Sequence, residues 1–172
     1  MTRYVVLVLN CLIAINTLAQ DDPEFPRGFV FYIEGHHGLS TNFKGASPDI
    51  FVSGLRANPQ ITLVPQHLRF GAAAELLFTN KIFSGIFGPT LNYKIKTLNV
   101  KSFGSILNLQ VQAEHLWGTD EQKLIGAGLK AEVGQLALLG FMIHRDYHLN
   151  YWWFQGGLGI NLKKKKKDSD PL

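Results

Sequence analysis

From Gly28 to Leu162 the chain is dominated by period-two alternation, with greasy positions on one side and small or polar positions on the other. In Gln66 to Phe78, Leu68, Phe70, Ala72, Ala74, Leu76 and Phe78 alternate with Arg69, Gly71, Ala73 and Glu75. In Ile82 to Ile95, Phe83, Phe87, Leu91, Tyr93 and Ile95 alternate with Ser84, Gly88, Thr90, Asn92 and Lys94. Leu107, Leu109, Val111 and Ala113 stand opposite Asn108, Gln110, Gln112 and Glu114, and Ile125, Ala127, Leu129, Ala131 and Val133 opposite Gly126, Gly128, Lys130 and Glu132. Successive strand side chains point to opposite faces, so this period predicts strands, and no long helix-period segment competes with it. Seven strands are predicted: Gly28 to Gly38, Gln66 to Phe78, Ile82 to Ile95, Ser102 to His115, Lys123 to Val133, Leu136 to Asp146 and Tyr151 to Leu162. An eighth, weaker one is expected at Asp49 to Arg56, inside a Gly-, Pro-, Asn- and Ser-rich stretch from Leu39 to Pro65. The remaining connections read as short loops: Thr79 to Lys81, Lys96 to Lys101, Leu116 to Gln122, Gly134 to Gln135 and Tyr147 to Asn150.

A soluble sandwich turns its apolar face inward and shows the same alternation, so periodicity alone leaves both readings open. Two features favour a membrane barrel, whose apolar face looks outward to lipid. The seven clear strands run 11 to 14 residues, against the ~5 to 6 usual in soluble sheets and the ~9 to 11 that cross a bilayer when tilted. Aromatic residues gather near strand ends, at Phe78, Tyr93, Trp117, Tyr147, Tyr151 and Trp152, where an interfacial girdle places them. The expected fold class is therefore all-β, an up-and-down antiparallel transmembrane β-barrel of eight strands over residues 28–162.

The last strand separates its faces most cleanly. Trp152, Phe154, Leu158, Ile160 and Leu162 lie on one side, and Trp153, Gln155, Gly157, Gly159 and Asn161 on the other. Gln155, Gly157, Ile160 and Leu162 together resemble the β-signal read by the outer-membrane barrel assembly machinery, although that pattern usually closes the chain and often ends in Phe. In architecture the chain resembles the small eight-stranded outer-membrane barrels of the OmpA transmembrane domain and OmpX type. The resemblance implies insertion into a Gram-negative outer membrane, with lipid and lipopolysaccharide around the barrel, assembly machinery during insertion, and another outer-membrane protein as a further candidate partner. It implies no particular activity, because this fold carries structural proteins, adhesins and lipid-modifying enzymes alike.

The first residues fit export. Arg3 precedes an apolar run from Tyr4 to Ile15 broken only by Asn10, and Thr17-Leu18-Ala19 supplies small residues at a cleavage site. The run falls short of the ~20 apolar residues of a spanning helix. A signal peptide over 1–19 is expected, then an N-terminal segment over 20–27. Lipidation at Cys11 is the rival reading, disfavoured by Asn10 beside it. Cleavage would remove Cys11, the chain's single cysteine, leaving no disulfide staple of the kind small secreted domains use. The basic balance misleads: residues 20–162 hold 11 basic and 11 acidic side chains, and the excess comes from Lys163 to Lys167 in a tail, 163–172, expected to be disordered. A nucleic-acid partner therefore loses its main support.

The alternation turns a set of polar residues inward: Glu34, His36, Arg69, Glu75, Asn92, Lys94, Asn108, Gln110, Gln112, Glu114, Lys130, Glu132, Gln155 and Asn161. An eight-stranded interior is just wide enough for side chains to fill it or to hold one small ligand. Opposite charges packed there are expected to satisfy one another in a lumen network rather than line a pore. No catalytic site, metal site or cofactor is expected. Glu34, His36, His37 and His67 form a weak metal candidate, since neighbouring strand histidines point to opposite faces. His144, Asp146 and His148 form a weak catalytic candidate for a lipid A deacylase or acyltransferase, lacking a nearby serine. The function expected is a structural or complex-subunit role, with that enzyme, or a secreted soluble barrel binding a small apolar ligand, as alternatives. Gly85, Gly140 and Gly156, read as lying on apolar faces, either let a neighbour approach closely or, the commoner case, simply fit barrel curvature.

Overall fold

The computed structural model describes residues 28–43, 49–79, 82–100, 105–134 and 136–162. The expected signal peptide, the segment 20–27 and the lysine tail lie outside these residues. The strands are β1 (Phe29–Thr41), β2 (Ile50–Val64), β3 (Leu68–Thr79), β4 (Ile82–Val100), β5 (Ser105–Gly118), β6 (Lys123–Val133), β7 (Ala137–Asp146) and β8 (Tyr151–Asn161). Each pairs antiparallel with the next, and β8 returns to β1 along a ladder from Tyr32–Asn161 to Thr41–Trp152, so all eight close into one up-and-down barrel. Closure gives every strand a partner on each side, and beyond Lys94 the end of β4 pairs with β5 alone. The start of β1 and the end of β8 share one rim, here the proximal rim; the opposite, distal rim carries the connections after β1, β3, β5 and β7.

β1, β2 and β4 are longer than the alternation suggests, for identifiable reasons. The weak candidate at Asp49 to Arg56 is a 15-residue strand, Ile50–Val64. Pro59 disguises it, because proline cannot donate to a ladder. The β2–β3 ladder steps from Ala57–Ala74 to Gln60–Gly71, around Pro59, and the β4–β5 ladder steps from Phe87–Trp117 to Thr90–Glu114, around Pro89. Each proline thus sits where its ladder opens. The stretch read as a loop at Lys96 to Lys101 continues β4 to Val100, and an irregularity between Lys94 and Lys96 shifts the register. That shift breaks the alternation by placing Ile95 and Lys96 both outward. Likewise Leu116 to Gly118 belong to β5 and Leu39 to Thr41 to β1.

Inside and outside are chemically inverted relative to a soluble domain. Leu55, Leu76, Phe83, Phe87, Leu129, Phe141 and Leu158 are exposed on the outer face, while Glu34, Arg56, Arg69, Glu75 and Glu132 are buried. The interior is layered. Toward the distal rim Val52, Ala73, Leu77, Ile86, Leu116, Leu124 and Trp153 pack together, and toward the proximal rim Val30, Tyr32 and Leu138 do so. Glu34, Arg56, Glu114 and Lys130 lie along the strands between these two groups, whereas Asp146 and Lys94 lie nearer the distal and proximal rims.

Candidate functional site

Arg56 is the hub of that space. Its side chain is 0% exposed; Nε donates to Glu75 Oε2 at 2.9 Å, Nη2 lies 2.7 Å from the same oxygen, and Nη1 donates to Glu114 Oε2 at 2.9 Å. The strand register prepares this, setting Arg56 between Glu34 on β1 and Glu75 on β3. From Glu114 the network reaches His144, whose Nε2 lies 2.5 Å from Oε1, and Gln112, which donates to Oε2. From Glu75 it reaches His36 Nδ1 at 3.5 Å, and His36 Nε2 meets Glu34 Oε2 at 3.2 Å. Glu34 in turn accepts from Lys130 Nζ at 2.5 Å and from Asn58 Nδ2 at 3.3 Å. Thr90 donates to Asn58 Oδ1 at 3.2 Å.

A second cluster lies nearer the proximal rim. Arg69 Nη1 donates to Glu132 Oε2 at 3.1 Å and to the Tyr32 hydroxyl at 2.9 Å, and Gln110 Nε2 donates to Glu132 Oε2 at 2.8 Å. Beyond it Lys94 Nζ donates to Thr97 Oγ1 at 3.0 Å, which donates to Asn108 Oδ1 at 2.8 Å. Asn92, Gln155 and Asn161 are also buried in the interior.

β8 contributes room as well as side chains. A Cβ on Gly157 would collide with the His36 ring, one on Gly159 would press on Glu34 Cγ, and one on Gly126 of β6 would collide with the His144 ring. The absence of side chains at these positions makes the niches that the buried histidines and carboxylate occupy. Gly140, read from the sequence as lying on an outward apolar face, instead backs Lys130, whose Cγ would be 3.1 Å from an added Cβ. Gly156 does face open space, and Gly85 lines an outer groove of about 410 Å³ with Leu55, Ala57, Ala74, Leu76 and Phe87.

All ten residues predicted for the lumen network, Glu34, His36, Arg69, Glu75, Lys94, Gln110, Gln112, Glu114, Lys130 and Glu132, are buried inside the barrel. The reading from sequence missed Arg56, Asn58 and Thr90 as members, and His144 as a lumen residue. The signal for Arg56 was present: Arg56, Asn58, Gln60 and Thr62 alternate with Leu55, Ala57, Ile61 and Leu63, interrupted only by Pro59.

The weak candidates are not assembled. His37 points outward, 3.1 Å from Ser53 Oγ, and His67 sits in the β2–β3 turn with its ring against Tyr93, away from His36. His144 is engaged by Glu114, while Asp146 Oδ1 accepts the turn amides of His148 and Leu149 at 3.1 and 2.9 Å. His148 is exposed and faces Glu121 at 3.4 Å. Of the assembly-signal residues, Gln155 and Gly157 face the lumen, whereas Ile160 and Leu162 are exposed outside.

No family model and no curated protein matches the chain. Among solved structures it is similar to one described as "De novo design of transmembrane beta-barrels", with a TM-score of 0.51 and 15% identity, covering 81% of this chain and 99% of that one. It is also similar to the solution NMR structure of the de novo designed TMB2.3, with a TM-score of 0.50 and 13% identity over 80% of this chain and 98% of that one. At such identities the likeness is one of fold: a closed eight-stranded antiparallel barrel resembling transmembrane barrels.

Proposed function

We propose that this chain is an exported outer-membrane barrel with a structural or complex-subunit role, sealed by its own side chains rather than open as a pore. The observation that carries this reading is the inverted section of the barrel: an apolar exterior around an ion network that is itself held between two apolar layers. Lipid outside removes the cost of exposing Leu and Phe, and the paired interior removes the cost of burying charge. The short connections support a compact role over that of a large adhesin, since adhesins present long external loops. In this reading both rims face water, the proximal rim toward the periplasm.

A photo-reactive residue at Gly85, on the outer groove, tests the subunit role in intact cells. The expected result is recovery in the outer-membrane fraction together with a discrete cross-linked partner band. Recovery in the soluble periplasmic fraction sinks the membrane placement, and recovery in the membrane with no adduct there or at Gly156 sinks the subunit role.

A further inference from the structure

We infer that the outer face of the distal rim, across β5 to β8, is a binding site for the phosphate of a membrane lipid headgroup. Two cations stand there without an acidic partner among the described residues. Lys123, at the start of β6, is exposed, and its ammonium joins no ion pair. Arg145, near the end of β7, lies over the Trp152 ring at 5.2 Å and donates through Nη2 to Asn150 Oδ1. A guanidinium carries five N–H donors in a planar fork, so most of the Arg145 donors remain available to a planar or tetrahedral anion.

The strand geometry puts the two cations within joint reach of one anion. Tyr147 N–H donates to Lys123 O at 3.1 Å, which sets Tyr147 opposite Lys123. Arg145, two residues before Tyr147, is therefore the diagonal neighbour of Lys123, about 7–8 Å away between backbones. Two long side chains easily close on a phosphate placed between them. The nearby carboxylates are directed elsewhere: Asp146 is buried and takes turn amides, Asp120 accepts from Ser84, and Glu121 faces His148.

The surroundings identify the anion as a lipid headgroup rather than a free ion. Trp117 is the direct cross-strand partner of Lys123, and Trp152 that of Arg145. The His115 ring lies tilted against Trp117, centroids 4.4 Å apart, and meets the Tyr147 hydroxyl at 2.9 Å. Trp and Tyr with one apolar and one polar end settle at headgroup depth, so these cations are held at the level of lipid phosphates. Ile125, opposite Arg145, and Ile143 and Leu129 below it continue as an apolar wall for acyl chains. The proposal rests on the membrane-spanning reading.

The test is native mass spectrometry of the full chain in nanodiscs of a phosphate-free galactolipid doped with phosphorylated lipid A or with the same lipid stripped of its phosphates. The expected result is retention of the phosphorylated form only, unaffected by millimolar inorganic phosphate. An interfacial cation adds about fivefold to anionic-lipid binding, so K123Q/R145Q should weaken retention about 30-fold. R145K should fall between, and K96Q, on the opposite rim, should bind like the parent. Equal retention of both lipids, or an unchanged K123Q/R145Q, overturns the headgroup site while leaving the barrel intact. Displacement by inorganic phosphate overturns the lipid assignment. A chain that never enters the nanodisc sinks the membrane reading itself.

Discussion

At the scale of single residues, Arg56 decides whether the interior is stable. One guanidinium serves Glu75 and Glu114, with both carboxylates buried inside the barrel. Removing one member of a buried ion pair leaves uncompensated charge and typically costs about 3–5 kcal/mol, whereas replacing the whole set with neutral groups costs far less. R56M should therefore lose about that much stability in denaturant titrations of the detergent-refolded barrel, and R56M/E75Q/E114Q should recover most of it. A loss below about 1 kcal/mol for the single variant, the scale of a screened surface pair, would show that the guanidinium is not holding these charges. Arg56 also shows where sequence reading stops. Arg69 was legible as a lumen residue because Leu68, Phe70 and Ala72 surround it in unbroken alternation. Arg56 lay at the edge of a segment where Pro59 suggested a loop, although Asn58, Gln60 and Thr62 carry the alternation past it, and cross-strand pairing shows that the strand runs on.

At the scale of strands, the alternation carried nearly all of the architecture. β3, β6, β7 and β8 were read within about two residues, because nothing interrupts their period and Gly or Asn turns bound them. What escaped was whatever broke the period, Pro59 inside β2 and the shifted register at Lys94 to Lys96 in β4, together with the strand ends Leu39 to Thr41 in β1 and Leu116 to Gly118 in β5. Which face meets lipid is a property of the strand, and depth along it makes that testable. Leu129 is 63% exposed at the middle of β6, and Leu162 is 53% exposed just beyond the end of β8. In a bilayer, L129R should destabilise by about 2–4 kcal/mol and L162R by about 0–1, measured by urea unfolding in lipid vesicles. Equal, small effects at both positions would place the outer face in water.

At the scale of the whole molecule, a barrel needs both halves of its inversion. The exterior alone describes many aggregation-prone sheets, and the buried charges alone describe an unstable core. Together, in a ladder closed from β8 back to β1, each makes the other tolerable. The charged lumen was legible as a list of inward positions, but its connectivity was not. That Glu34 would meet Lys130 across 96 positions of sequence follows from closure and register, neither of which the alternation specifies. Likewise His144 and Asp146 looked like a shared site on one strand face, yet the fold gives one to Glu114 and the other to a turn.

The most direct test of the account is gel mobility of the chain refolded into lipid vesicles, loaded in denaturing buffer with and without boiling. A closed membrane barrel predicts two bands, the unboiled species keeping its fold and migrating apart from the boiled one, with the protein pelleting with the vesicles. A single band at the same position in both lanes, from protein that stays in solution without lipid, would contradict it.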